Sequence, residues 1–181
     1  MPFDKDFRAA FGVKPPPLLS RLATWSSAEQ AYAGADVELR VHGPDHLAEL
    51  WDLDEGAAKK VLVFGHDPMD SDYGIWLTEG AALESAPIVY LNGEGCDNTV
   101  VAGNLGEFLG LLASGFECIG LLSELRGAKW KKKKAKAVDA YAAWLVKNGV
   151  RPLEGAAVWP AIQAAVKAHP SFDEWLEKHR G

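Results

Sequence analysis

The sequence predicts an α+β fold, a twisted and mainly antiparallel sheet packed by helices, with a helical C-terminal third. Three observations predict it. Residues 37–41 alternate apolar and charged side chains, and short apolar runs follow at 61–64, 73–77 and 88–91. Leu105, Phe108, Leu109 and Leu112 then fall at i, i+3, i+4 and i+7, the stripe of an amphipathic helix. Beyond residue 116 the pattern stays helical to the end. The 181 residues suit one core and are few for two, so one domain is expected. It divides into an N-terminal helical segment (1–36), a sheet-rich core (37–115) and a helical tail (116–181).

Phe3, Phe7 and Phe11 recur every four residues and predict a first helix, ended by Gly12 and the stiff run Pro15-Pro16-Pro17. Leu18, Leu19, Leu22 and Trp25 predict a second. Ser26 with Glu29 suggests a capping box for a separate turn closed by Gly34. Val37, Leu39 and Val41 predict a half-buried strand, and His42-Gly43-Pro44 a turn. Asp45 is placed to cap a short helix with Leu47, Leu50 and Trp51 on one face. Residues 65–72 read as a polar loop between strands. Asn92-Gly93-Glu94-Gly95 reads as a tight turn using both glycines at positive φ.

Asn104, three residues before Glu107, marks the start of the clean amphipathic helix, and Gly115 its end. A short helix is predicted over 119–125 and a longer one over 128–147. Lysines at 131–134 and 136 pave one side of it, with Trp130, Ala137, Tyr141, Trp144 and Leu145 on the other. A helix over 155–168 precedes a terminal helix opened by a Ser171/Glu174 capping box.

Residues 1–125 carry 7 Lys and Arg against 20 Asp and Glu, a net of −13, while 126–181 carry 12 against 5, a net of +7. The acidic body favours a basic protein partner and disfavours nucleic acid. The lysine run beside Trp130 reads better as a solvated helix face than as a nucleic-acid site. No apolar run is long enough to span a bilayer, and the first residues lack a signal-peptide pattern, so a cytoplasmic protein without membrane contact is expected. Two cysteines, Cys96 and Cys118, fall short of a disulfide framework and read as reduced thiols.

No catalytic, cofactor or metal set is predicted. His42 and His46 are four apart, but Gly43-Pro44 keeps them from one helix, and no third zinc ligand lies nearby in sequence. Asp67, Asp70 and Asp72 fit neither register of a calcium loop. Gly93-Glu94-Gly95 lacks a dinucleotide fingerprint, and His66-Asp67 has no nucleophile tied to it by spacing.

Four stretches in order carry a resemblance: Phe64-Gly65-His66-Asp67; Tyr73-Gly74-Ile75-Trp76; Pro87-Ile88-Val89-Tyr90-Leu91-Asn92-Gly93-Glu94-Gly95; and Val100-Val101-Ala102-Gly103-Asn104 running into Phe108-Leu109 and Leu112-Ala113-Ser114-Gly115. The chain resembles the SUKH superfamily, which groups the yeast Smi/Knr cell-wall regulators, bacterial Syd and many bacterial immunity proteins. The Leu-Pro-x-x-Tyr and Asn-Gly-Gly entry of many members is absent. The resemblance implies a non-enzymatic binder, in many relatives one that neutralises a toxin. On that reading Asp67, Asp70, Asp72, Glu94 and Asp97 are the expected partner-binding residues, facing a basic toxin domain. A regulatory or scaffold module for host proteins is the alternative expectation, and a hydrolase built on His66 the third.

Overall fold

A computed structural model describes residues 2–29, 37–115, 136–169 and 171–181. The predicted α+β architecture is present. Five strands form one antiparallel sheet in the order β1-β2-β3-β4-β5, each hydrogen-bonded to its neighbour in sequence. They are β1 (Glu38–His42), β2 (Val61–His66), β3 (Asp72–Trp76), β4 (Ile88–Leu91) and β5 (Thr99–Ala102). The helices are α1 (Pro2–Phe11), α2 (Pro17–Glu29), α3 (Pro44–Trp51), α4 (Glu55–Ala58), α5 (Leu105–Leu112), α6 (Lys136–Lys147), α7 (Val158–Ala168, after a 3-10 turn at Gly155–Ala157) and α8 (Phe172–Lys178).

Each sheet face has its own core. Leu62, Phe64, Tyr73, Ile75, Ile88, Tyr90 and Val101 point to one side, where α1, α2, α5 and α6 bring Phe7, Leu19, Leu22, Phe108, Leu109, Tyr141 and Leu145. Val61, Val63, Trp76, Val89, Leu91 and Val100 point to the other, met by Leu47 and Trp51 of α3 and by Phe172 and Leu176 of α8. Cover on both sides explains why β2, β3 and β4 read as continuous apolar runs, as fully buried strands do. β1 alternates because it is half-exposed. α7 places Val158 and Ile162 in one core and Ala165 in the other, so it lies over the β5 edge. With α1 packed on β1, both edge strands have helical neighbours.

Several local expectations change. α2 runs unbroken through Ser26 to Glu29, so Ser26 lies inside that helix, and the turn expected up to Gly34 falls outside the described residues. α3 is entered through Gly43 and Pro44, and Asp45 sits inside its first turn. Leu50 of α3 is 59 % exposed and faces away from the core. Ser171 occupies the N-cap of α8 without a side-chain cap bond. The helices expected over 119–125 and across the first part of 128–147, with Cys118, Trp130 and Lys131 to Lys134, fall outside the described residues.

Asn104 behaves as predicted: its Oδ1 accepts from Glu107 N at 2.9 Å, and Glu107 Oε2 accepts from Gly103 N at 3.0 Å. Gly110 lies mid-helix for a different reason. A Cβ there would come within 2.5 Å of the Arg151 carbonyl oxygen, and Leu153 N donates to the Gly110 carbonyl at 2.9 Å. The glycine thus lets the segment after α6 lie against α5.

Candidate functional site

Pairing of β2 with β3 sets His66 opposite Asp72 and leaves only residues 67–71 to close the hairpin. The loop is therefore shorter than the sequence suggests. Asp67 folds it. Its Oδ1 accepts from Met69 N at 2.9 Å and Ser71 N at 3.2 Å, and its Oδ2 accepts from Tyr73 OH at 3.3 Å. Burial pushes the Asp67 carboxyl above its ordinary pKa, and these hydrogen bonds pull it the other way.

The neighbouring loop between β4 and β5 is joined to this one. Ser71 Oγ accepts from Tyr90 OH at 2.9 Å and from Gly93 N at 3.1 Å. Asn92 N donates to Asn98 Oδ1 at 3.0 Å, and Asn92 Oδ1 accepts from Glu94 N at 3.1 Å. Gly93 does not take positive φ; Gly95 does. Gly93 is needed because a Cβ would stand 2.4 Å from the Asp70 carbonyl oxygen. Arg180, near the C-terminus, donates to the Gly95 carbonyl at 3.3 Å.

The five expected partner-binding residues separate into two groups. Asp67 and Asp72 are 1 % and 2 % exposed, turned inward as parts of the scaffold. Asp70, Glu94 and Asp97 are exposed, and Asp70 and Asp97 hold left-handed backbone conformations at φ 55° and 58°. Met69, 52 % exposed, stands beside Asp70. Cys96 is exposed on the same loop as Glu94 and Asp97.

Behind this rim, on the α3 side of the sheet, the fold assembles a histidine cluster whose members are separated in sequence. His42 ends β1, Gly43 and Pro44 turn the chain, and His46 follows in the first turns of α3. The two imidazoles need not share a helix to meet: their ring centroids are 4.0 Å apart, and His42 Nδ1 is 2.8 Å from His46 Nε2. The missing third group arrives from β3. Asp72 Oδ2 lies 2.8 Å from His46 Nε2 and 3.7 Å from His42 Nδ1. On the far side of the same carboxylate, Asp72 Oδ1 is 3.0 Å from His66 Nδ1, and His66 Nε2 is 3.5 Å from Asp70 Oδ1.

The tautomers of the two histidines decide which of these contacts carries a hydrogen. His46 Nε2 holds at most one hydrogen, and the directions to His42 Nδ1 and Asp72 Oδ2 diverge by about 80°, too far for one N–H to serve both well. If the hydrogen points at Asp72, His42 Nδ1 is the bare nitrogen and its lone pair faces His46. If His46 instead accepts from His42, two lone pairs face each other across 2.8 Å. Burial lowers the His42 pKa from its ordinary value, while Asp72 acts in the opposite direction. His42, His46 and Asp72 thus offer three ligand atoms, all within 4.8 Å of one another.

The pairing of positions 66 and 72 was available in the sequence, since two strands flanking a short polar loop form a hairpin. The approach of His42 and His46 was not, because it depends on how β1 turns into α3. No protein-family model, curated protein or solved structure matches the chain. Among the described residues, no helix is long and apolar enough to cross a membrane.

Proposed function

We propose that the chain is a non-enzymatic, cytoplasmic protein-binding module of the immunity type, which neutralises a basic toxin domain through the rim formed by residues 67–71 and 92–98. The observation that carries this reading is the construction of the rim. Two loops are locked together through Ser71, and the locked pair carries exposed Met69 and the exposed carboxylates of Asp70, Glu94 and Asp97. A surface already held in place loses little conformational entropy on docking. An exposed thioether with acidic neighbours suits a partner with an apolar anchor set among basic side chains. The net charge of −13 over residues 1–125 steers such a partner and speeds encounter. The SUKH resemblance is strongest over residues 61–115, which contain both loops, and it supports the toxin-neutralising class of partner.

The test begins with the adjacent reading frame: a secreted protein with a C-terminal toxin domain is expected there, and that domain is purified and mixed with the chain. Association measured at low and high salt is expected to slow as salt rises. Replacing Asp70, Glu94 and Asp97 together by lysine is expected to weaken binding at least about tenfold. Tight binding that ignores both salt and the triple reversal removes the rim from the interface. Failure to bind the domain, or to protect cells against it, refutes the immunity reading.

A further inference from the structure

We propose that His42, His46 and Asp72 bind one late first-row divalent metal ion, with zinc as the first candidate. None of the three ligands belongs to the docking rim, although Asp70 of the rim reaches His66.

The three ligand atoms form a triangle with sides of 2.8, 2.8 and 3.7 Å. Such a triangle has a circumradius of about 1.9 Å, so a point about 0.8 Å out of its plane is ~2.05 Å from all three atoms. That separation is the usual zinc–nitrogen and zinc–carboxylate bond length. An ion there accepts one lone pair from each imidazole and one from the carboxylate. The donor set selects the ion class. Two imidazoles disfavour calcium and magnesium, which require oxygen ligands, and no thiolate belongs to the set.

His66 is a positioning residue. Its Nδ1–H donates to Asp72 Oδ1 at 3.0 Å and directs Oδ2 toward the other two ligand atoms. Asp70 lies at the opposite nitrogen of the same ring, at 3.5 Å. The Asp72 side chain is 3 % exposed and the His46 side chain 30 %, so the site is anchored on the sheet and opens toward solvent on the α3 side. Three protein ligands leave the fourth position to water. The ion joins the end of β1, the first turns of α3 and the base of the β2–β3 hairpin, which are far apart in sequence.

The experiment starts from the full chain stripped with a chelator. Zinc is titrated by calorimetry and against a chromophoric chelator, and cobalt is added in parallel to read the ligand field. One zinc per chain is expected, with a rise in melting temperature and a cobalt spectrum free of thiolate charge transfer. His46→Ala alters a partly exposed side chain and is expected to fold and to abolish binding. His66→Ala is expected to retain the site with about ten- to hundredfold weaker affinity. Cys96→Ser and His179→Ala are expected to bind as the parent does. If His46→Ala is unstable, His46→Gln, checked by circular dichroism, makes the same test. A parent chain that takes up no zinc overturns the proposal. So does zinc binding that survives the loss of His46, or binding that disappears with Cys96.

Discussion

Tyr90 of β4 donates its hydroxyl to Ser71 Oγ across 2.9 Å, and this contact ties the loop closing the β2–β3 hairpin to the neighbouring strand. Gly93 N shares the same acceptor. Ser71→Ala takes that acceptor from both donors in a buried setting. It is expected to destabilise the chain by about 1–3 kcal/mol, read from the urea midpoint. Tyr90→Phe, which removes a donor and leaves Ser71 bonded to Gly93, is expected to cost less. Equal losses would mean that Ser71 does not link the loops.

Gly93→Ala tests the same joint sterically. The added methyl would meet the Asp70 carbonyl oxygen at 2.4 Å, a backbone atom with no rotamer to yield. The loops must separate or the backbone must strain, at a cost of about 1–3 kcal/mol. Hydrogen exchange is expected to quicken at Asp70 and Glu94 more than at Val89 or Val100. Uniform change across the sheet would assign Gly93 a role in global packing instead.

What could be read from the chain depended on how local each feature is. β2, β3, β4 and α5 follow from runs and periods within a few residues, and Asn104 with Glu107 makes a contact at a spacing of three. The capping pair is expected to be worth about 1 kcal/mol in Asn104→Ala, a value that thermal unfolding can check. The histidine cluster joins positions 42, 46, 66 and 72 through strand pairing and one chain reversal. Reasoning confined to a single helix discards His42 and His46 for a sound local reason, the intervening Gly43-Pro44. The acidic residues show the same limit. Nothing in the composition of the 67–72 segment separates Asp67 and Asp72, which the loop consumes, from Asp70, which it displays.

Gly110→Ala sets helix propensity against packing. Alanine is favoured over a helical glycine by about 1 kcal/mol. The new methyl, however, would lie 2.5 Å from the Arg151 carbonyl oxygen, in a contact fixed by the Leu153–Gly110 hydrogen bond. Overpacking against backbone costs up to about 3 kcal/mol, so net destabilisation is expected, with loss of amide protection at Leu153. A more stable variant would show that residues 151–153 move away from α5 at little cost.

Tyr141 yields a prediction in alkali. Its side chain is wholly buried and its hydroxyl donates to the Leu109 carbonyl at 2.9 Å, tying α6 to α5. Burial holds the phenol well above its ordinary value of about 10. Above pH 10 the unfolded chain releases this proton while the folded chain keeps it. The unfolded state then binds fewer protons, and stability falls as pH rises. The contribution is complete below the unfolded pKa and disappears on the way to the higher folded one. Tyr141→Phe lacks this titration. At pH 8 it is expected to be less stable than the parent by about 1 kcal/mol for the lost hydrogen bond. The difference should shrink above pH 10 and then reverse, because the parent alone carries the added slope. Urea unfolding of both chains at pH 8 and pH 10.5 isolates the effect, since their lysines titrate alike. A difference that stays constant with pH would mean that the Tyr141 phenol ionises as readily in the folded chain as in the unfolded one.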